Sequence, residues 1–155
     1  YFQISKIFLH CNKVGEYKML KNKFDNKRIQ DEQIKNIYDI AKSVAIPRVI
    51  NEQMSSGGVG AAVLTNHGNI YTGVCIDTDC SLGMCAERNA LSTMITNGEY
   101  DVEMIIAVTK VGKVIPPCGA CREFMWQLNN SKDIKVVLDN EGTVVNLEDL
   151  MPYPY

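Results

Sequence analysis

Two short segments concentrate the side chains that could do chemistry: Cys85-Ala86-Glu87-Arg88 and Pro117-Cys118-Gly119-Ala120-Cys121-Arg122. Cys118 and Cys121 are three residues apart, so on a helix they share a face and can grip one metal ion. Cys85 supplies a third sulfur. Three protein ligands leave the fourth corner of a tetrahedron for water, the catalytic rather than the structural arrangement of zinc. Glu87 lies two residues after Cys85, which on a regular helix turns it about 200° away. The two serve one site only if the ion sits over the first turn, where a carboxylate can act as base and then as acid. Three thiolates and one divalent cation leave a net negative centre, so something must withdraw charge. Arg88 and Arg122, each directly following its motif, are the candidates. So are two helix N-termini, whose free amides and dipole also favour thiolate over thiol.

Plainer readings stand beside this one. The three cysteines could close a structural zinc site with Cys80 as fourth ligand. Cys118-x-x-Cys121 alone has the form of a redox pair, but that leaves Cys85 and Glu87 unexplained. Glu87 could be an acid favoured by a helix dipole, and Arg88 and Arg122 could be surface cations. Cys11, Cys75 and Cys80 read as small buried or incidental residues, and His67 as an exposed turn residue without a metal role. Phe124 and Trp126 read as core or subunit contacts. Asp77 divides evenly between solvated surface and substrate contact.

These groups must be positioned by the elements around them. Ile34, Ile37, Tyr38, Ala41, Val44 and Ala45 recur at helical spacing within 29–45, and Pro47 stops that helix. A loop through Ser55-Ser56-Gly57-Gly58 leads to a buried strand over 59–65. Asn66-His67-Gly68-Asn69 has turn chemistry, and a second strand over 70–76 completes a hairpin. A helix over 85–97 closes at Gly98, followed by a strand over 104–109 and a helix over 118–128 opened by Pro116-Pro117. A strand over 134–138, a turn at 140–142, a short strand over 143–145 and a helical turn over 147–151 complete the chain. The order α-β-β-α-β-α-β-β-α predicts an α/β fold, a mixed five-stranded sheet between helices in three layers, since strands joined through helices need crossover connections.

The chain of 155 residues is long enough for one domain with its own core, and 46% hydrophobic and 22% charged residues are globular values. Tyr1-Phe2-Gln3 resembles the remnant of an engineered protease site, and Met19 could be a natural start. We therefore separate an N-terminal extension, residues 1–28, from a domain over 29–155. The extension carries a net charge of +5 and the domain −7. An acidic domain repels polyanions, which disfavours DNA or RNA as substrate and favours a small neutral or cationic molecule. No apolar run is long enough for a membrane span. The run Ile7-Phe8-Leu9 lacks a signal-peptide core and cleavage site. A reducing, cytoplasmic compartment is expected, where clustered cysteines bind metal rather than pair.

Together the segments Val59-Gly-Ala-Ala-Val-Leu64, Ile70-Tyr-Thr-Gly73, Cys85-Ala-Glu-Arg88, Pro117-Cys-Gly-Ala-Cys-Arg122 and Glu148-Asp-Leu-Met-Pro152 resemble the cytidine deaminase family, specifically its small three-cysteine nucleoside enzymes and their relative blasticidin-S deaminase. The resemblance covers residues 29–152. It implies Zn²⁺ held by Cys85, Cys118 and Cys121, with zinc hydroxide attacking C4 of cytidine or deoxycytidine. Glu87 would shuttle the water proton to N3 and then to departing ammonia. The backbone at Ala86 would contact the base carbonyl. It further implies a homotetramer whose sites borrow residues from neighbours, and a place in pyrimidine salvage. Two departures bear on specificity. Family members carry Asn-x-Glu on the second strand to grip the ribose, where this chain reads Cys75-Ile76-Asp77, so the resemblance implies Cys75 and Asp77, with Ala86, as substrate-binding residues. A pocket aromatic two residues before the Val-Gly-Ala-Ala segment is here Gly57. These motivate an alternative, deamination of a modified cytosine nucleoside. An alternative of another class is a zinc-stabilised interaction protein without catalysis, against which the intact Glu87 speaks.

Overall fold

A computed structural model of the chain describes residues 31–129 and 131–154. Cys11, Met19 and the rest of the N-terminal extension lie outside the described residues. Helix α1 (Glu32–Val44) starts where Asp31 accepts hydrogen bonds on Oδ1 from the amides of Gln33 and Ile34, at 2.9 and 3.1 Å. That satisfies donors which the first turn cannot pair internally. Ile34, Ile37 and Ala41 form its buried stripe.

Six strands follow: β1 (Arg48–Asn51), β2 (Met54–Thr65), β3 (Ile70–Thr78), β4 (Val102–Thr109), β5 (Lys135–Val137) and β6 (Val144–Asn146). Helix α2 (Ala86–Thr96) connects β3 to β4, and α3 (Gly119–Trp126) lies between β4 and β5. β2 is the hub of the sheet. It pairs antiparallel with β3 along one side, and with β4 and then β1 along the other. β4 and β5 run parallel through the α3 crossover, and β6 returns antiparallel to β5.

The mixed α/β sheet is the one expected, but it has six strands rather than five, and β2 begins at Met54, five residues before Val59. Both differences have one cause. Every residue of β1 is exposed, so the strand carries no alternating pattern to betray it. The Ser-Ser-Gly-Gly stretch looks like a loop, yet it is strand interrupted by a bulge. Register passes from Ser56↔Ile76 directly to Gly60↔Val74, which leaves residues 57–59 opposite Cys75. Gly57 takes φ +80° there, and a Cβ would fall 2.0 Å from the Ile46 carbonyl oxygen.

Alternate residues of the central strands face opposite layers. Ala62, Leu64, Met104, Ile106 and Val108 pack under α1, while Ala61, Val63, Ile105 and Ala107 pack under α2 with Met125 of α3. This is the three-layer α/β/α arrangement. Fully buried Leu91 and Met94 fasten α2 to the sheet, each contributing about 1.5–3 kcal/mol by burial.

Candidate active site

The chemistry-bearing segments meet where α2 and α3 begin. Cys85 is the N-cap of α2 and Cys118 the N-cap of α3, both with extended backbone and neither side chain bonded to its helix's amides. Their sulfurs therefore remain available to each other. Cys85 Sγ lies 3.5 Å from Cys118 Sγ, which lies 3.4 Å from Cys121 Sγ, and the three fall within 4.8 Å of one another. A disulfide needs about 2.05 Å, so the cysteines are unpaired. Tetrahedral zinc with bonds of about 2.3 Å would set its sulfurs roughly 3.8 Å apart, close to this spacing. Among the described residues no fourth His, Cys or carboxylate joins the group. Cys80 is exposed, its thiol 3.6 Å from the Thr78 hydroxyl.

Glu87 sits in the first turn of α2 with only 5% of its surface exposed. Burial raises its carboxyl above the usual carboxylate range, opposed by its own backbone amide, the Cys121 thiol and the Arg88 charge. Burial likewise pushes Cys121 far above an ordinary thiol, reinforced by the negative Glu87. Cys85 is raised by burial and by Cys118. Cys118 also suffers desolvation, but hydrogen bonds from the Cys121 backbone and from both neighbouring thiols bring it below the usual thiol value. Cys85, Cys121 and Glu87, crowded with Cys118 at two helix N-termini, resist ionising without a cation among them. That donor set fits a divalent soft ion.

Arg88 brings a positive charge beside two of the thiols. Its guanidinium loses hydration, but the neighbouring Cys85 and Cys121 thiols favour its charged form and the net effect holds the proton more tightly, while its buried Nε finds no hydrogen-bond partner among the described residues. Arg122 is placed differently: its Nη1 donates to the Leu150 carbonyl oxygen at 3.0 Å, tying α3 to the turn at Leu147–Leu150. Ala86 is buried at the start of α2.

Strand β3 runs directly beneath α2. At Gly73 a Cβ would come within 2.2 Å of the Ala90 nitrogen and 2.7 Å of the Ala86 oxygen, so only glycine permits this approach. Asn89 Nδ2 donates to the Val74 carbonyl oxygen at 3.0 Å, and Ile76 exchanges backbone hydrogen bonds with Met84, the residue before Cys85. Sequence reasoning gave neither Gly73 nor Asn89 a positioning role. A glycine inside a strand was the available signal. Cys75 is half-buried and Asp77 exposed on the same face of β3. The Cys75 sulfur accepts from the Val59 amide at 3.3 Å and donates to Asp77 Oδ2 at 3.5 Å.

The remaining candidates lie elsewhere. His67 is exposed in the β2–β3 turn, with Nδ1 3.4 Å from Glu99 Oε2. Phe124 and Trp126 are partly buried against the core. Tyr153 is almost fully exposed. No helix among the described residues is long and apolar enough to cross a membrane.

The profile of the cytidine and deoxycytidylate deaminase zinc-binding region matches residues 32–138. A cytidine deaminase of Halalkalibacterium halodurans is 38% identical over 99 residues, covering 61% of this chain and 74% of that protein. Blasticidin-S deaminase of Bacillus cereus is 32% identical over 108 residues, covering 63% of this chain and 76% of that protein. Among solved structures, cytidine deaminase from Mycobacterium leprae superposes with a TM-score of 0.66 at 23% identity over 79% of this chain and all of that one, a likeness of fold. Zinc is the ion this cysteine cluster fits. With its matched zinc-binding region, fold and sulfur cluster, the chain belongs to the zinc-dependent cytidine and deoxycytidylate deaminase family.

Proposed function

We propose that the chain hydrolyses the 4-amino group of cytidine and deoxycytidine, giving uridine or deoxyuridine and ammonia. The observation that carries this reading is the convergence of Cys85, Cys118 and Cys121 at two helix N-termini with a buried Glu87 alongside. Cys85, Cys118 and Cys121 would hold the zinc, which when bound supplies Lewis acidity that makes water a competent nucleophile near neutral pH. Glu87 accepts the proton that water loses as its oxygen bonds to C4, and gives it to N3. It then takes the second proton from the new C4 hydroxyl and passes it to the amino group as the C4–N4 bond breaks, leaving a C4 carbonyl and ammonia. Its fixed place beside Cys121 suits that traffic, because one carboxylate then reaches both water and ring. Arg88, beside Cys85 and Cys121, balances their charge. Arg122 adds positive charge near the start of α3 while its Nη1 anchors Leu150. The Ala86 backbone receives the base carbonyl, and Asp77 with Cys75 lies on the sugar side.

The substrate is a small molecule rather than a nucleic acid polymer or a membrane lipid, in keeping with the acidic domain over 29–155. A cytoplasmic homotetramer serving pyrimidine salvage completes the proposal. A second reading, a modified cytosine nucleoside resembling blasticidin S, is favoured by the 32% identity to that deaminase and by Cys75-Ile76-Asp77. The test is ammonia release by zinc-loaded protein from cytidine, deoxycytidine and blasticidin S. Glu87→Gln should abolish it while zinc content is retained. Zinc binding without turnover of any of the three would leave the non-catalytic interaction protein instead. Sedimentation at micromolar concentration reads the assembly.

A further inference from the structure

The Cys75 sulfur spends its hydrogen-bonding capacity within the protein. It accepts from the Val59 amide at 3.3 Å and donates to Asp77 Oδ2 at 3.5 Å, and a thiol has one donor and a weak acceptor. Val59 ends the three-residue bulge of β2 that faces Cys75. A bulge leaves a backbone amide without its usual partner in the ladder, and an unsatisfied amide there is costly. The sulfur fills that gap. Gly58 leaves room for it, since even a Cβ at this position would stand 3.6 Å from Cys75 Sγ.

Where this places Asp77 follows from the strand. Tyr71, Gly73, Cys75 and Asp77 alternate onto the α2 side of the sheet. Tyr71 bonds Glu99, beyond the C-terminus of α2, and Gly73 touches the backbone at Ala86 and Ala90. Cys75 and Asp77 therefore continue past the helix N-terminus, flanking Ile76, which pairs with Met84 just before the metal-ligand candidate Cys85. Asp77 is about 13 Å along the strand from Gly73. It is exposed, and without its neighbour its carboxylate would be free to turn into solvent.

We propose that Cys75 is a positioning residue: by joining the β2 bulge to Asp77 it fixes the Asp77 carboxylate as acceptor for a hydroxyl on the sugar of the substrate. The inference rests on the nucleoside deaminase reading above. Cys75 itself does not touch the sugar; it holds the group that does. A serine can do the same work, since its hydroxyl both accepts and donates, whereas alanine does neither.

The experiment measures kcat and KM of the zinc-loaded full chain on cytidine, 2′,3′-dideoxycytidine and 5′-deoxycytidine. Cys75→Ala should raise KM for cytidine about five- to tenfold, the loss falling on KM rather than kcat. Cys75→Ser should recover most of it. Asp77→Ala should cost about the same, and the double variant no more than Asp77→Ala alone. The KM effect of Cys75→Ala should vanish on whichever analogue lacks the hydroxyl that Asp77 takes. Equal KM increases on all three substrates, no rescue by serine, or additive losses in the double variant would each overturn the relay. If the wild-type chain turns over no cytosine nucleoside, the deaminase reading fails and this inference with it. A wild type active on cytidine with an inert Cys75→Ala variant sinks the inference alone.

Discussion

Gly73→Ala is the sharpest test of how the fold holds its site. A methyl group at residue 73 would meet the Ala90 nitrogen at 2.2 Å and the Ala86 oxygen and Asn89 carbon at 2.7 Å. All three are backbone atoms, so no side chain can rotate away. Relief requires α2 to lift from β3, or β3 to drop from β2, with which it is paired through Gly60↔Val74 and Ala61↔Gly73. Overpacking ordinarily costs 1–3 kcal/mol, and a clash against rigid backbone on both sides lies at or above the top of that range, about 3 kcal/mol. For a chain of this size that corresponds to a fall in Tm of roughly 6–12 °C. Gly68→Ala is the control. Gly68 has φ +83° but nothing within 4 Å of a Cβ, so it pays only left-handed backbone strain, about 1–2 kcal/mol. Thermal unfolding of both zinc-loaded variants, with metal analysis, decides the matter. Gly73→Ala should unfold well below Gly68→Ala and hold zinc more weakly, because the displaced helix begins at Cys85. A Gly73→Ala protein melting within 2 °C of wild type would refute the argument that helix and strand meet without room for a methyl.

Glu87→Gln keeps the size of the side chain and removes its basicity; kcat should fall by about 10²–10⁴-fold with zinc stoichiometry unchanged, and loss of metal in step with activity would mark Glu87 as structural instead. Arg88→Gln removes the positive charge beside two sulfurs, and turnover per bound zinc should drop roughly tenfold before metal is lost; a variant that loses zinc yet keeps its rate per bound metal contradicts the charge-balancing role. The neighbouring Thr65 hydroxyl, the Asn69 and Tyr71 groups that donate to Glu99, and His67 beside it hold its carboxyl down at about 2. Its unfolded value is near 4.3, so between those values the unfolded chain binds more protons, and the Glu99 contribution is present above about pH 4.3 and lost as pH falls toward 2. Glu99→Gln should therefore flatten the acid limb of a stability-against-pH curve while changing activity little, and a curve superposing on wild type would remove Glu99 from that account.

The centre's chemistry was legible in the residues because much of it is local. Cys118 and Cys121 occupy one turn of one helix, Cys85 and Glu87 another, and spacing along a helix fixes which side chains can share an ion. The Ile34–Ile37–Ala41 stripe marked α1 for the same reason, though its start at Glu32, capped by Asp31, was read three residues too early. The sequence could not show that two helix N-termini, 33 residues apart, arrive at one point; β4 and its pairing with β2 decide that. Nor could it separate Arg88 from Arg122, which follow identical local patterns. Tertiary packing turns one guanidinium onto the sulfurs and gives Nη1 of the other to the Leu150 carbonyl. β1 and the first half of β2 escaped because an exposed strand and a glycine bulge carry no hydrophobic period. Cys75 looked incidental because its partners, the Val59 amide and Asp77, are joined to it only by sheet register. Periodicity and chelate spacing act within a few residues, whereas the contacts that assign each side chain its partner cross the fold, and only the folded chain specifies them.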